Sequence, residues 1–177
     1  MDYLFKTNRL IIKKIDSENE ILDLLEIYKN KDNLKYLNNS DFEWSLNNLK
    51  LKLLLYRKLY KVGLGIYLAR LKENNQIVAE VSFFDSFDNI KTPEIGYIID
   101  KKYWNNKFGT EIVTAMVTYL IKDLNVNSIY ARMNIENLAS NKICKTLGFI
   151  EIEKIKLEIQ ILLIALVFFE MLLFSGF

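Results

Sequence analysis

The succession "PEIGYIID", "KKYWNNKFG", "TEIVTAMVTYLIKDL" restricts this chain more than any other stretch in it. A β-rich run meets a helical run across a turn containing Gly109, one of only six glycines. In the helical run Ile112, Val113, Met116, Val117, Leu120, Ile121 and Leu124 recur at one, three and four residues, a stripe wide enough to face a core. A helix that begins directly after a strand points its first-turn N–H groups, and the positive end of its dipole, away from its own body. Such a junction suits an anion. The alternative there is a plain helix start, in which Gly109 only relieves crowding.

The flanking sequence supplies more elements of both kinds. "RLIIKKI" (Arg9 to Ile15) reads as a first strand. Residues Ser17 to Tyr60 are mostly helical. Ser17 followed by Glu20 is a capping-box pattern, with Ile21, Leu24, Leu25 and Tyr28 at helical spacing. After a break at "NNSDFEW", Leu46, Leu49, Leu53 and Tyr56 mark a second helix. Leu64 to Lys72 alternates as a strand, "ENNQ" is a turn, and Ile77 to Asp85 is the hairpin partner. The loop "SFDNIKTP" holds the only proline, Pro93. Beyond the central helix, Ser128 to Asn134 reads as a strand and "NLASNKICKTLGF" as a short helix capped by Gly148. "FIEIEKIK" alternates again. With neither repeat nor linker, residues 1–177 read as one mixed α/β domain, and 177 residues suffice for one good core.

Composition then limits the chemistry. The net charge is +2 and the lysines are scattered among glutamates, so there is no basic stripe of the kind that binds nucleic acid. The chain has no histidine, so a general base must be a carboxylate, a tyrosine, a water chain or the lone thiol of Cys144. One cysteine rules out an internal disulfide and suits a reducing cytoplasm. The same poverty in histidine and cysteine argues against a transition-metal site. The N-terminus interleaves charges with apolar residues and does not read as a signal peptide.

Three segments, "TNRLIIKKID", "EIGYIID–KKYWNNKFGTEIV" and "NIENLASNKICKTLGF", occur in an order and spacing that resemble the GNAT acetyltransferases. Within them the likeness is to the RimJ/RimL type, which acetylates protein N-terminal amines. It runs from about Thr7 to about Phe149. The resemblance implies an α/β (α+β) fold: a mixed, mostly antiparallel central sheet splayed at the cofactor site and flanked by helices. It also implies acetyl-coenzyme A as cosubstrate, with no metal. In that family a Q/R-x-x-G-x-G/A turn wraps the pyrophosphate. Here Gly109 takes the second small position, Lys107 stands at the first glycine, and Trp104 replaces the polar residue. The turn from Asn106 through Lys107, Phe108 and Gly109 to Thr110 would hold the phosphates. Ile98, Ile99 and Asp100 would lie beside the pantetheine arm, and Asn137 would bond that arm or serve as a helix cap.

The resemblance also implies where the protons move. Glu94, at the start of the central strand, stands where several members place a base. Glu80, one strand away, is the second carboxylate, and for both the alternative is a solvated strand-end charge. Ser140 is a hydroxyl that the RimJ/RimL type often carries, and Cys144 occupies a place where many members have a proton-donating tyrosine. The faces of Tyr97 and Tyr130 stay open at this point. The ending "IQILLIALVFFEMLLFSGF" departs from the family, since neither a polar turn nor a pocket-closing strand is visible in residues 159–177. It reads as a buried strand with an apolar end, a membrane anchor, or the product of a disturbed reading frame. Its uninterrupted run from Ile161 to Phe169 is too short to span a bilayer. Expectation therefore settles on a cytoplasmic N-acetyltransferase, monomer or homodimer, whose acceptor is a peptide N-terminus, a polyamine or another small amine. Neither nucleic acid nor a membrane is an expected partner. The competing reading is a non-catalytic acyl-coenzyme A or partner-binding module.

Overall fold

The computed structural model describes residues 3–38, 40–85, 92–156 and 161–168. The chain opens with β1 (Phe5–Lys6) and β2 (Leu10–Lys14). Three helices follow: α1 (Glu18–Lys29), the short α2 (Lys31–Leu34) and α3 (Leu46–Arg57). The capping box is present at the start of α1. Ser17 Oγ accepts from the Glu20 amide at 3.3 Å, and Glu20 Oε2 accepts from the Ser17 amide at 3.2 Å. Glu20 Oε1 also accepts from Arg70 at 3.0 Å, so the cap residue ties the helix to the sheet.

A 3-10 turn (Lys58–Val62) leads from α3 into β3 (Gly65–Leu71), β4 (Ile77–Phe84) and β5 (Glu94–Ile99). Then come α4 (Phe108–Lys122), β6 (Ser128–Asn134), α5 (Leu138–Thr146), β7 (Ile150–Lys156) and β8 (Ile161–Phe168). The end of α5 is a Schellman motif. The Phe149 amide donates to the Cys144 carbonyl, the Gly148 amide donates to that of Lys145, and Gly148 has φ +80°.

The strands form one sheet in the order β1-β2-β3-β4-β5-β6-β8-β7. All neighbours are antiparallel except β5 and β6, which α4 connects and which are therefore parallel. That pair is in register only at Glu94↔Tyr130 and Ile95↔Ala131. From Gly96 onward the two strands part, and a gap opens in the middle of the sheet.

Alternation along the strands builds a core on each face. Tyr67, Val81, Phe83 and Ile95 pack with Ile112, Val113, Met116 and Leu120 of α4. Leu68 and Ile98 pack on the other face with Leu24 and Tyr28 of α1 and Leu49 of α3. Fully buried side chains such as Phe83 and Leu68 each contribute about 1.5–3 kcal/mol.

Of the readings open for the ending of the chain, the backbone takes the strand, although no pocket-closing strand is visible in the sequence. A closing strand is present: β8 lies between β6 and β7, with Ala131↔Ala165 and Ile155↔Leu162 among its pairs. The run "ILLIALVF" has no polar residue to mark a wet face, so a period-two search passes over it.

Candidate active site

Helix α4 begins on a left-handed residue. Its N-cap, Lys107, has φ 62° and ψ 12°, in the region that glycine adopts without penalty. The Glu111 amide donates to the Lys107 carbonyl at 3.2 Å and starts the helical ladder. The amides of Phe108, Gly109 and Thr110 precede that ladder and have no partner within the helix. The turn is clamped from the residue before β2: Arg9 stacks on the Phe108 ring at 3.8 Å and donates to the Asn106 carbonyl at 3.0 Å. Glu111 anchors the clamp, accepting from Arg9 Nε at 2.7 Å, the Arg9 amide at 2.8 Å and Thr7 Oγ1 at 2.5 Å. Burial pushes the Glu111 carboxyl up, but these hydrogen bonds and the guanidinium together hold it below its ordinary value.

Lys107→Gly follows as an expected gain. A non-glycine residue in the left-handed region costs about 1–2 kcal/mol. Glycine returns part of that as unfolded-chain entropy, about 0.5–1 kcal/mol. The variant should melt at or slightly above the parent temperature, and its coenzyme A affinity in calorimetry should stay within about tenfold, because the lysine's charge adds only about 0.5–1.5 kcal/mol beyond what a neutral hydrogen bond is worth. A larger loss would make the lysine itself the anion's main contact.

The turn forms one end of a cavity of about 580 Å³, within the usual range for ligand sites. Its walls are the end of β5, the start of α4 and the exposed side of α5. Lys35, Lys107 and Lys142 line it, as do the carboxylates Asp32 and Glu136; Asp32 is engaged by Lys101 at 2.7 Å. Gly109 is needed for proximity rather than for φ. A Cβ there would sit 2.9 Å from Ile143 Cδ1 and 3.5 Å from Ile99 Cδ1.

Strand register decides which backbone groups face the gap. The Asp100 amide donates to the Val78 carbonyl at 2.9 Å, and the Tyr130 amide donates to the Pro93 carbonyl at 2.9 Å. Antiparallel alternation then commits Ile98 and Asp100 to β4 and turns the polar backbone groups of Tyr97 and Ile99 toward the gap. Of the expected residues, Ile98 and Ile99 line the cavity, but the backbone of Ile98 is spent on β4. Asp100 lies outside the lining, where its carboxylate accepts from the Lys102 amide. Asn106 lies outside as well, donating to the carbonyls of Tyr103 and Trp104. Trp104, the departure from the family pattern, donates its indole N–H to the Ile99 carbonyl at 2.9 Å. Of the gap-facing groups, the amide and carbonyl of Tyr97 and the amide of Ile99 are left to hold a ligand.

Helix α5 supplies the opposite wall. Asn137 caps it, accepting from the Ser140 amide at 3.2 Å, and also lines the cavity. Ser140 Oγ and Tyr97 Oη share a hydrogen bond of 2.8 Å across the cleft. Burial pushes the Tyr97 hydroxyl up to about 12, opposed by the Ser140 bond, so it keeps its proton at neutral pH. Tyr97 thus resolves toward the cavity. Cys144 is buried in the core beneath α5, away from the lining, and burial pushes its thiol up to about 12.

The two carboxylates stand on the α1/α3 face. Glu80 is no strand-end charge. It lies mid-strand in β4, 2% exposed, and accepts from Tyr28 at 2.5 Å, from Ser82 at 2.7 Å and from Lys52 at 2.9 and 3.1 Å. Sequence reasoning missed these partners because Tyr28 and Lys52 come from separate helices. Glu94 sits where β5 and β6 are still paired, just before the gap, and accepts from Arg132 of β6 at 3.0 Å.

Comparison with known proteins adds the following. The acetyltransferase (GNAT) domain profile matches residues 9–150. The uncharacterized N-acetyltransferase YoaA of Bacillus subtilis is 23% identical over 149 residues, 82% of each chain. The structure of RimL, a ribosomal alpha-N-protein acetyltransferase, in complex with coenzyme A superimposes with a TM-score of 0.78 at 16% identity. It covers 94% of this chain and 97% of RimL. Spermidine N-acetyltransferase from Vibrio cholerae, in complex with coenzyme A and spermine, gives a TM-score of 0.77 at 16% identity. It covers 93% of this chain and 98% of that one.

Proposed function

The chain belongs to the GNAT acetyltransferase family and is an acyltransferase, and from that premise we propose that it moves an acetyl group from acetyl-coenzyme A to a primary amine by direct attack. The observation that carries this reading is the gap between β5 and β6, which runs onto the first-turn amides of α4. An elongated ligand with an anionic end and an amide-bearing arm fits that shape. The amides of Phe108, Gly109 and Thr110, with Lys107 beside them, take the pyrophosphate. The backbone of Tyr97 and Ile99 and the side chain of Asn137 take the pantetheine arm. Acetyl-coenzyme A supplies the activated acyl thioester.

The protein's own part is positioning and proton movement. An acceptor ammonium, with a free pKa of roughly 8 for an α-amine or 10.4 for a lysine, must lose a proton before it can attack. Glu94, at the closed end of the gap, takes it directly or through a water. Glu80 is the weaker candidate, because its four acceptor positions are already used. Ser140, bonded to Tyr97, returns a proton to the departing sulfur, and buried Cys144 is left as a core residue. A ribosomal-protein N-terminus and spermidine, the acceptors that the two structural neighbours are named for, both present a primary amine.

The test is release of free thiol from acetyl-coenzyme A in the presence of peptide N-termini, diamines and lysine. Amine-dependent release with at least one of them is expected. Coenzyme A binding in calorimetry without release for any amine would instead favour a binding module.

A further inference from the structure

Helix α3 has two apolar faces. Leu46, Leu49, Leu53 and Tyr56 point into the molecule, where Leu49 is fully buried. On the opposite side Leu51, Leu54 and Leu55 are 61%, 64% and 69% exposed, and Val62, in the 3-10 turn that continues the helix, is 40% exposed. Single surface leucines need no explanation. Three at i, i+3 and i+4 make a continuous stripe along one helix face.

The charges carried by this segment have one sign. From Leu46 to Val62 the sequence holds Lys50, Lys52, Arg57, Lys58 and Lys61 and no acidic residue. Lys52 is turned inward to Glu80, and Lys50 pairs with Glu18 of α1. Arg57, Lys58 and Lys61 are exposed. At 100° per residue Lys58 falls on the leucine stripe itself and Arg57 along one edge, and in the 3-10 turn Lys61 eclipses Lys58, three residues before it. Long cationic side chains in that position keep their heads in a polar layer while their stems cover apolar surface.

We propose that the outer face of α3 and its 3-10 extension docks on an anionic phospholipid surface, lying in the plane of the interface. Leu51, Leu54 and Leu55 enter the acyl boundary, and Arg57, Lys58 and Lys61 meet the headgroups. Charge complementarity selects this occupant. A second copy of the same face would bring like charges together, whereas an anionic bilayer offers both the apolar depth and the negative sign. The length limit that set membranes aside applies to spanning segments, and a helix lying flat is free of it. Among the described residues no helix is long and apolar enough to cross a membrane, which agrees with a surface mode. The proposal is independent of the acetyl-transfer reading.

The test is co-sedimentation of the full chain with large unilamellar vesicles of phosphatidylcholine and phosphatidylglycerol, against vesicles of phosphatidylcholine alone. Binding to the anionic vesicles only is expected, weakening as salt is raised. Lys58→Gln and Lys61→Gln should each weaken it about fivefold, the equivalent of ~1 kcal/mol per cation. Leu54→Ser with Leu55→Ser should weaken it more than about tenfold, with melting temperature and coenzyme A binding unchanged because both side chains are exposed. Should the serine pair disturb folding, Lys58→Glu with Lys61→Glu tests the same face and should abolish sedimentation. The proposal is overturned by absence of binding to anionic vesicles. Undiminished binding of the leucine or charge-reversal variants would also overturn it, by putting the contact elsewhere. So would a concentration-dependent dimer in light scattering that the leucine variant dissolves.

Discussion

Gly109→Val is expected to remove coenzyme A binding while leaving a folded protein. Even one carbon at this position would meet Ile143 Cδ1 at 2.9 Å, and valine adds two more at the mouth of the helix. The neighbour is the far end of a flexible side chain, so α5 can yield at a cost of about 1–3 kcal/mol. The ligand cannot yield in the same way, because its phosphate must reach backbone amides that the branched side chain now covers. Each charge-assisted hydrogen bond lost is worth about 1.5–3 kcal/mol, so losing two means an affinity drop on the order of a hundredfold or more. Gly109→Ala should fall between, since rotation of Ile143 can clear a single methyl. Calorimetry with coenzyme A, alongside a thermal melt, separates the two effects. Unchanged affinity in the valine variant would remove the α4 N-terminus as the phosphate site.

The second large effect is on turnover. Glu94→Gln keeps the shape of the side chain and can still accept from Arg132, but it cannot take a proton. General-base catalysis of this kind contributes about 10²–10⁴-fold. The variant should lose that much in kcat, with acetyl-coenzyme A binding nearly intact. The deficit should shrink at high pH, where more of the acceptor amine is already neutral. Glu80→Gln provides the contrast. It leaves Lys52 facing a neutral amide in a buried site, and breaking such a pair costs up to about 3–5 kcal/mol of stability. Its main phenotype should be a lower melting temperature. Wild-type kcat across the pH range for Glu94→Gln would take that residue out of the mechanism.

What the sequence made legible follows from how local each cause is. The stripe of α4, the capping box at Ser17 and Glu20 and the closure of α5 at Gly148 are set by residues within a few positions of one another, and all three are found as read. Gly109 was legible as a junction, though its reason is the approach of Ile143 from another helix, which no spacing encodes. Ile98, Ile99 and Asp100 are alike by position in sequence, and only the register by which Asp100 meets Val78 separates Ile99, whose amide faces the gap, from the other two. Glu80 looked like a strand-end charge because its partners, Tyr28 and Lys52, lie 52 and 28 residues away in sequence. Arg9 belongs to the segment "TNRLIIKKID", but its hold on the turn before α4 appears only when the start of β2 and α4 are seen side by side.

The position of β8 has a consequence for how the protein is made. β6 meets β5 at only two register positions, and its other border is β8, so one whole edge of it lacks a partner strand until residues 161–168 leave the ribosome. β7 is translated earlier than β8 yet pairs with it rather than with β6, so it too must wait. During synthesis β6 therefore presents an open edge, the kind of surface on which unfinished chains associate. The sheet beyond the gap is completed late, when the last described strand slides between two that were made before it. A ribosome-bound chain halted before Ile161 would carry the turn at Gly109 and all of α5, with β6 joined to the sheet by two register positions alone.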